Sequence, residues 1–123
     1  MRVWLIIAGV LGFLSVAIGA YGAHGLKSHL VSAGLYESFD TGVRYHMYHT
    51  LALLGVAWLA SRGRSKVVTA AGICFVAGVL IFSGSIYALC LSGQRGLGAI
   101  TPVGGLLFLA GWILVAVAGA RQR

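Results

Sequence analysis

His46 and His49 stand three residues apart in the run FDTGVRYHMYHTLALL, which also carries Arg44, Tyr45 and Tyr48. Imidazoles at i,i+3 lie within reach of one helix face, and neutral imidazole both ligates transition metals and titrates near neutral pH. The pair therefore opens two chemistries, metal binding and general acid–base work. Two ligands do not make a metal site, however, and neither acid, Glu37 or Asp40, is placed by its position in the chain to complete one. Ser83 and Ser85 flank Gly84 in a way that superficially resembles a nucleophile turn, but inside an apolar helix such hydroxyls bond the local backbone and such glycines pack. A pair of haems would want histidines at two depths on facing helices, whereas all the histidines here fall toward one face. The chain has no phosphate-cradling glycine loop with lysine and no zinc or haem cysteine motif. Cys74 and Cys90 lie about 24 Å apart along one predicted helix and cannot bridge each other there. The expectation is no catalytic residue, no metal and no cofactor.

The elements that must position these residues follow from composition. Apolar residues make up 59% of the chain and charged residues 9%, a balance that membrane insertion explains. Val3 to Ala23, Val67 to Leu91 and Leu97 to Ala120 contain no Asp, Glu, Lys or Arg. Each is long enough to cross a hydrocarbon core, which takes roughly 20 helical residues. Met47 to Ala60 is too short alone, so a span there must begin near Phe39 or Asp40 and carry Arg44 and His46 into the bilayer boundary. Asp40 is then placed to cap the first amides of that helix and to pair with Arg44 at i,i+4. Between the first two spans, Leu26, Leu30, Val31 and Leu35 recur at nearly helical spacing, which fits a short interfacial helix about as well as a plain loop. Small residues four apart (Ala8 with Gly12, Ser15 with Gly19, Cys74 with Gly78, Gly84 with Ala88) predict close helix packing.

Charge sets the orientation. Arg2, Arg62, Arg64, Lys66, Arg121 and Arg123 alternate along the chain with Lys27, Arg44 and Arg95. The positive-inside rule then places both termini in the cytoplasm. The nine basic residues and the net charge of +7 sit at helix ends and do not stripe one soluble face, so nucleic acid is not an expected partner. Arg2 and the apolar run after it resemble a signal peptide, but the run is longer than a usual signal core and is read as a retained span. The expected fold is all-α: a four-helix transmembrane bundle over residues 1–123 as one domain, N-in and C-in, in a bacterial inner membrane.

With that topology the intramembrane polar groups collect toward the outer side. His24, Arg44, Tyr48, His49, Ser85, Tyr87 and Thr101 become the candidate ligand- or partner-binding residues, with His24, His49, Tyr87 and Thr101 expected to face one shared pocket. Simpler roles compete: Arg44 can snorkel to lipid phosphate, and tyrosines form interfacial belts.

Four blocks, YGAHGLKSHL, FDTGVRYHMYHTLALL, FSGSIYALCLSG and LGAITPVGGLLFLAGW, occur in order over nearly the whole chain. Together they resemble a family of small bacterial inner-membrane proteins classed as a domain of unknown function, with eukaryotic relatives called transmembrane protein 256. The resemblance implies four membrane helices and no established activity. It draws attention to Gly22, His24 and Gly25; to Gly42, Arg44, Tyr45, Tyr48 and His49; to Gly84, Ser85 and Tyr87; and to Thr101, Pro102, Gly104 and Gly105. His46 departs from the family pattern, where glutamine is usual, which weakens a family metal site at His46 and His49.

The preferred reading is a non-enzymatic protein that binds a lipid, a quinone-like small molecule or a partner membrane protein, or another copy of itself, through the outer cluster. A small redox or metal-dependent enzyme subunit and a small-solute channel or transporter are the alternatives. A transporter would place polar groups at the midplane on interrupted helices in matching halves, a pattern not clear here.

Overall fold

Four long helical rods follow the four apolar stretches. The computed structural model describes residues 1–122, where every regular element is helical. Arg123, one of the basic residues counted toward the cytoplasmic side and the last residue of the expected domain, lies outside the described residues. Helix α1 spans Arg2–Ala23, α2 Lys27–Ser32 and α3 Tyr36–Ser61. The next rod is α4 (Lys66–Gly78), a π-helical turn (Val79–Ser83) and α5 (Gly84–Ser92) in one continuous run. A 3₁₀ turn, Arg95–Ala99, leads into α6, Thr101–Ala120, with Pro102 in its first turn where no amide is needed.

Three of these rods, Arg2–Ala23, Lys66–Ser92 and Arg95–Ala120, are long and apolar enough to cross a membrane. Helix α3 has the length, with 26 residues, but its first half is polar. It starts at Tyr36, earlier than its apolar run, so Asp40 lies one turn inside the helix and does not cap it. The position before the helix is Leu35, which makes no side-chain cap bond.

Packing runs α1 on α3, α3 on α4, and α4 on α6. Small residues permit it. A side chain on Gly22 would collide with the Phe39 ring, and one on Gly104 with the backbone of Phe82, so α1 meets α3 and α6 meets the π turn at close range. The expected pair Gly84 and Ala88 does not serve this purpose: a Cβ at Gly84 would have no neighbour within 4 Å, and Ala88 is exposed. Between the helices lies a core of Leu11, Leu53, Val56, Phe75, Val79 and Phe108 with smaller neighbours.

A second apolar cluster closes the end that holds α2. Leu30 and Leu35 join Phe39, Ile86 and Cys90 there, and Leu30 is fully buried. Helix α2 therefore docks on the ends of the long helices through Leu30. At the same end the Arg95 guanidinium donates to the Ala33 carbonyl at 3.2 Å, and Gly93 turns the chain at φ +74°, a conformation glycine adopts without strain. At the opposite end the Arg62 Nε–H donates to Gln122 Oε1 at 3.0 Å and its guanidinium lies over the Trp58 ring, so the α3–α4 turn and the chain's last described residues lie together.

Candidate functional site

Helix α3 supplies most of the polar side chains, and its rotation decides what each can do. His49 is buried and turned toward α6. Its Nδ1 lies 2.8 Å from the Tyr45 carbonyl, which only accepts, so Nδ1 carries the proton. The Nε2 lone pair then accepts from the Trp112 indole N–H at 3.0 Å, and the ring stacks on Phe108 at 3.6 Å between centroids. Both nitrogens are engaged. Ligating a metal or taking up a proton at Nε2 would first require the Trp112 bond to break.

His46, one helical step away, turns elsewhere. Its Nδ1 is 2.9 Å from the Tyr87 hydroxyl of α5, and the residue is 3% exposed. The Leu11 backbone of α1 comes near the ring, yet Nε2 has no partner with sound hydrogen-bond geometry. A buried polar atom left unpaired costs free energy, and Nε2 of His46 is the one such side-chain atom among the described residues. Because His46 and His49 are engaged by different helices, they do not converge on one ligand.

Hydroxyls complete a set of interhelical bonds. Ser83 donates to the Gly42 carbonyl of α3 at 2.6 Å, at the end of the π turn. Ser85 and Thr101 share a hydrogen bond at 2.6 Å; since Ser85 also donates to the Phe82 carbonyl at 3.0 Å, the shared proton is Thr101's. The serines flanking Gly84 are thus occupied by neighbouring backbone and threonine.

The expected common pocket does not form. His24 is exposed at the end of α1, while His49 lies deep between α3 and α6. Tyr87 pairs with His46 and Thr101 with Ser85, so four candidates have separate surroundings. The reason is steric: the interior at that end is filled by Leu30, Leu35, Phe39 and Ile86. Arg44 and Tyr48 face outward. Arg44 Nε is 2.8 Å from Asp40 Oδ2, the pair that their i,i+4 spacing predicts, and its side chain is 64% exposed. Tyr48 is 53% exposed.

Trp112, His46 and Ser83 belong to this network and are absent from the expected ligand- or partner-binding set; His46 and Ser83 stood out in the sequence for other chemistry, and Trp112 did not. Trp112 had a signal in the sequence: it sits well inside an apolar span, away from the interfaces where tryptophan usually collects, and an indole N–H surrounded by hydrocarbon needs an acceptor.

Apolar spans, interhelical hydroxyl bonds and close glycine contacts define a multi-pass helical membrane protein. Residues 18–105 match a family described as "Protein of unknown function (DUF423)". A UPF0382 membrane protein of Bacillus subtilis, YwdK, is 43% identical over 98% of this chain and 98% of its own length. The UPF0382 inner membrane protein YgdD of Escherichia coli K12 is 42% identical over 99% of this chain and 92% of its own. A Schizosaccharomyces pombe member, C1782.12c, is 39% identical over 95% and 100%. The chain belongs to this DUF423/UPF0382 family of membrane proteins, whose Escherichia coli member is named for the inner membrane and which extends to a eukaryote. No solved structure matches it.

Proposed function

We propose that the chain is a single four-span domain, N-in and C-in, that recognises a partner transmembrane helix through the outward face of α3 and carries out no chemistry of its own. The observation that carries this reading is a stripe. Ser38, Thr41, Arg44, Tyr45 and Tyr48 are exposed at spacings of three and four residues, and Leu51, Gly55 and Trp58 continue the same face. At about 1.5 Å per residue the polar half runs about 15 Å along the helix. Polar groups at bilayer depth are costly unless partnered, and interhelical hydrogen bonds are how transmembrane helices satisfy them. His49, Ser85, Tyr87 and Thr101 are occupied within the chain and His24 stands apart at the end of α1, which favours this face over an internal cavity and over an enzyme site built on His49, Ser83 or Ser85.

The span assignment for α3 rests on its length of 26 residues, which at about 1.5 Å each exceeds the roughly 30 Å hydrocarbon core. Contact between Arg62 and Gln122, and one surface depression shared by Met1, Arg64 and Lys66, support placing the more basic end in the cytoplasm.

The test is crosslinking in native membranes from a photoreactive residue at position 48, with position 106 on the exposed face of α6 as control. Crosslinks to one defined protein, or to a second copy, from position 48 alone support the reading. Crosslinks only to lipid, or co-purification of a quinone-like molecule lost in Tyr48→Ala, would reassign the face to that ligand.

A further inference from the structure

A broad depression lies at the opposite end from the stripe. It has a volume of about 780 Å³ and opens between the start of α1 and the start of α4. Its walls are apolar, with Trp4, Val68, Ala70 and Ile73, and its rim carries Arg64, Ser65 and Lys66. We infer that this groove binds an anionic phospholipid of the adjacent leaflet, with the phosphate between Arg64 and Lys66 and an acyl chain along Trp4 and Ile73.

Charge complementarity argues for an anion. The chain's only Asp and Glu side chains are Glu37 and Asp40, at the far end of α3, about 30 Å away by its rise per residue. Among the described residues Arg64 and Lys66 have no salt-bridge partner, and both are exposed. The wall argues for a lipid and against a soluble anion. Ile73 is 57% exposed and lies about two turns down α4 from Lys66, on the hydrocarbon side of the rim. A free phosphate would neutralise the rim but leave that wall uncovered, whereas a glycerophospholipid covers both. Trp4 adds an amphipathic ring at the depth where headgroup meets chain. Cationic side chains beside an anionic leaflet gain from its surface potential as well as from direct contact. The groove shares no lining residue with the α3 stripe, so the two assignments stand or fall separately.

Native mass spectrometry of the full-length protein, in detergent with equal phosphatidylglycerol and phosphatidylcholine, tests the site. The protein should retain phosphatidylglycerol over phosphatidylcholine by about tenfold, a preference two juxtamembrane cations can supply. Arg64→Gln with Lys66→Gln should abolish that preference. Ala70→Trp, which fills the wall without altering charge, should reduce retention as well. Arg62→Gln with Arg121→Gln removes the same charge from the same end but outside the groove, and should leave the preference intact. Equal retention of both lipids, equal loss in both charge pairs, or no effect of Ala70→Trp would overturn the proposal. Displacement of the lipid by millimolar inorganic phosphate would overturn it too, since it would mark a soluble-anion site.

Discussion

His46 and His49 differ by three positions in sequence and by which helix satisfies them. The indole of Trp112 completes His49, so Trp112→Phe leaves Nε2 with no donor while keeping an aromatic ring against Phe75. Interhelical hydrogen bonds in bilayers contribute about 1 kcal/mol, and a fall in melting temperature of a few degrees is the expected result. His46 is the reverse case, a residue with one nitrogen unsatisfied. His46→Gln keeps an acceptor for the Tyr87 hydroxyl and brings two amide protons to the same space, so its thermal stability should equal or exceed that of the parent. His46→Leu removes the partner of Tyr87 and should lower stability by about 1–2 kcal/mol. Melting curves in one detergent decide between them; a leucine variant more stable than the glutamine variant would show that the Tyr87 bond contributes nothing.

Glycine at the level of helices is a matter of which face it occupies. Gly104 sits where any Cβ would strike the Phe82 backbone, and backbone cannot turn aside as a side chain can. Gly104→Val should therefore force α6 away from the π turn and cost about 1–3 kcal/mol, the range of core overpacking. Gly84 has open space around it, so Gly84→Ala should be neutral or stabilising by about 0.5–1 kcal/mol through helix propensity. Parallel thermal denaturation of the two variants checks the contrast, and a Gly84→Ala loss comparable to Gly104→Val would contradict this account of the packing. Spacing alone could not separate these glycines. Small residues four apart mark a face, and the partner that face meets depends on the rotation of the rod, which the π turn at Val79–Ser83 alters within a single span.

For the whole molecule the consequence is polarity between two ends. One end carries Arg62, Arg64, Lys66 and Arg121; the other is closed by α2 and tied by Arg95 to Ala33. In a variant lacking Cys74 and Cys90, a cysteine at position 65 should react with an impermeant maleimide only after the cytoplasmic side is opened, and one at position 94 in intact spheroplasts. The reverse pattern would invert the molecule.

The three most apolar spans were legible in the residues because hydrocarbon imposes length and exclusion of charge on any chain that crosses it. Three of the four expected spans are the rods apolar enough to cross, and the ion pair of Asp40 with Arg44 follows from one helical turn of spacing. Position along each helix was legible too, since each residue advances a helix by a constant rise. Direction was not. Whether Tyr87 meets His24 or His46 depends on how far each helix is rotated, and that angle is set by contacts distant in sequence: Phe39 against Gly22, Phe82 against Gly104, and Phe108 beneath His49. The amphipathic run through Leu26, Leu30 and Leu35 was visible as well, but only the assembled helices present the cavity that Leu30 and Leu35 fill. Once filled, that interior has no room for a polar pocket, and of the expected candidates His24, Arg44 and Tyr48 are left facing outward.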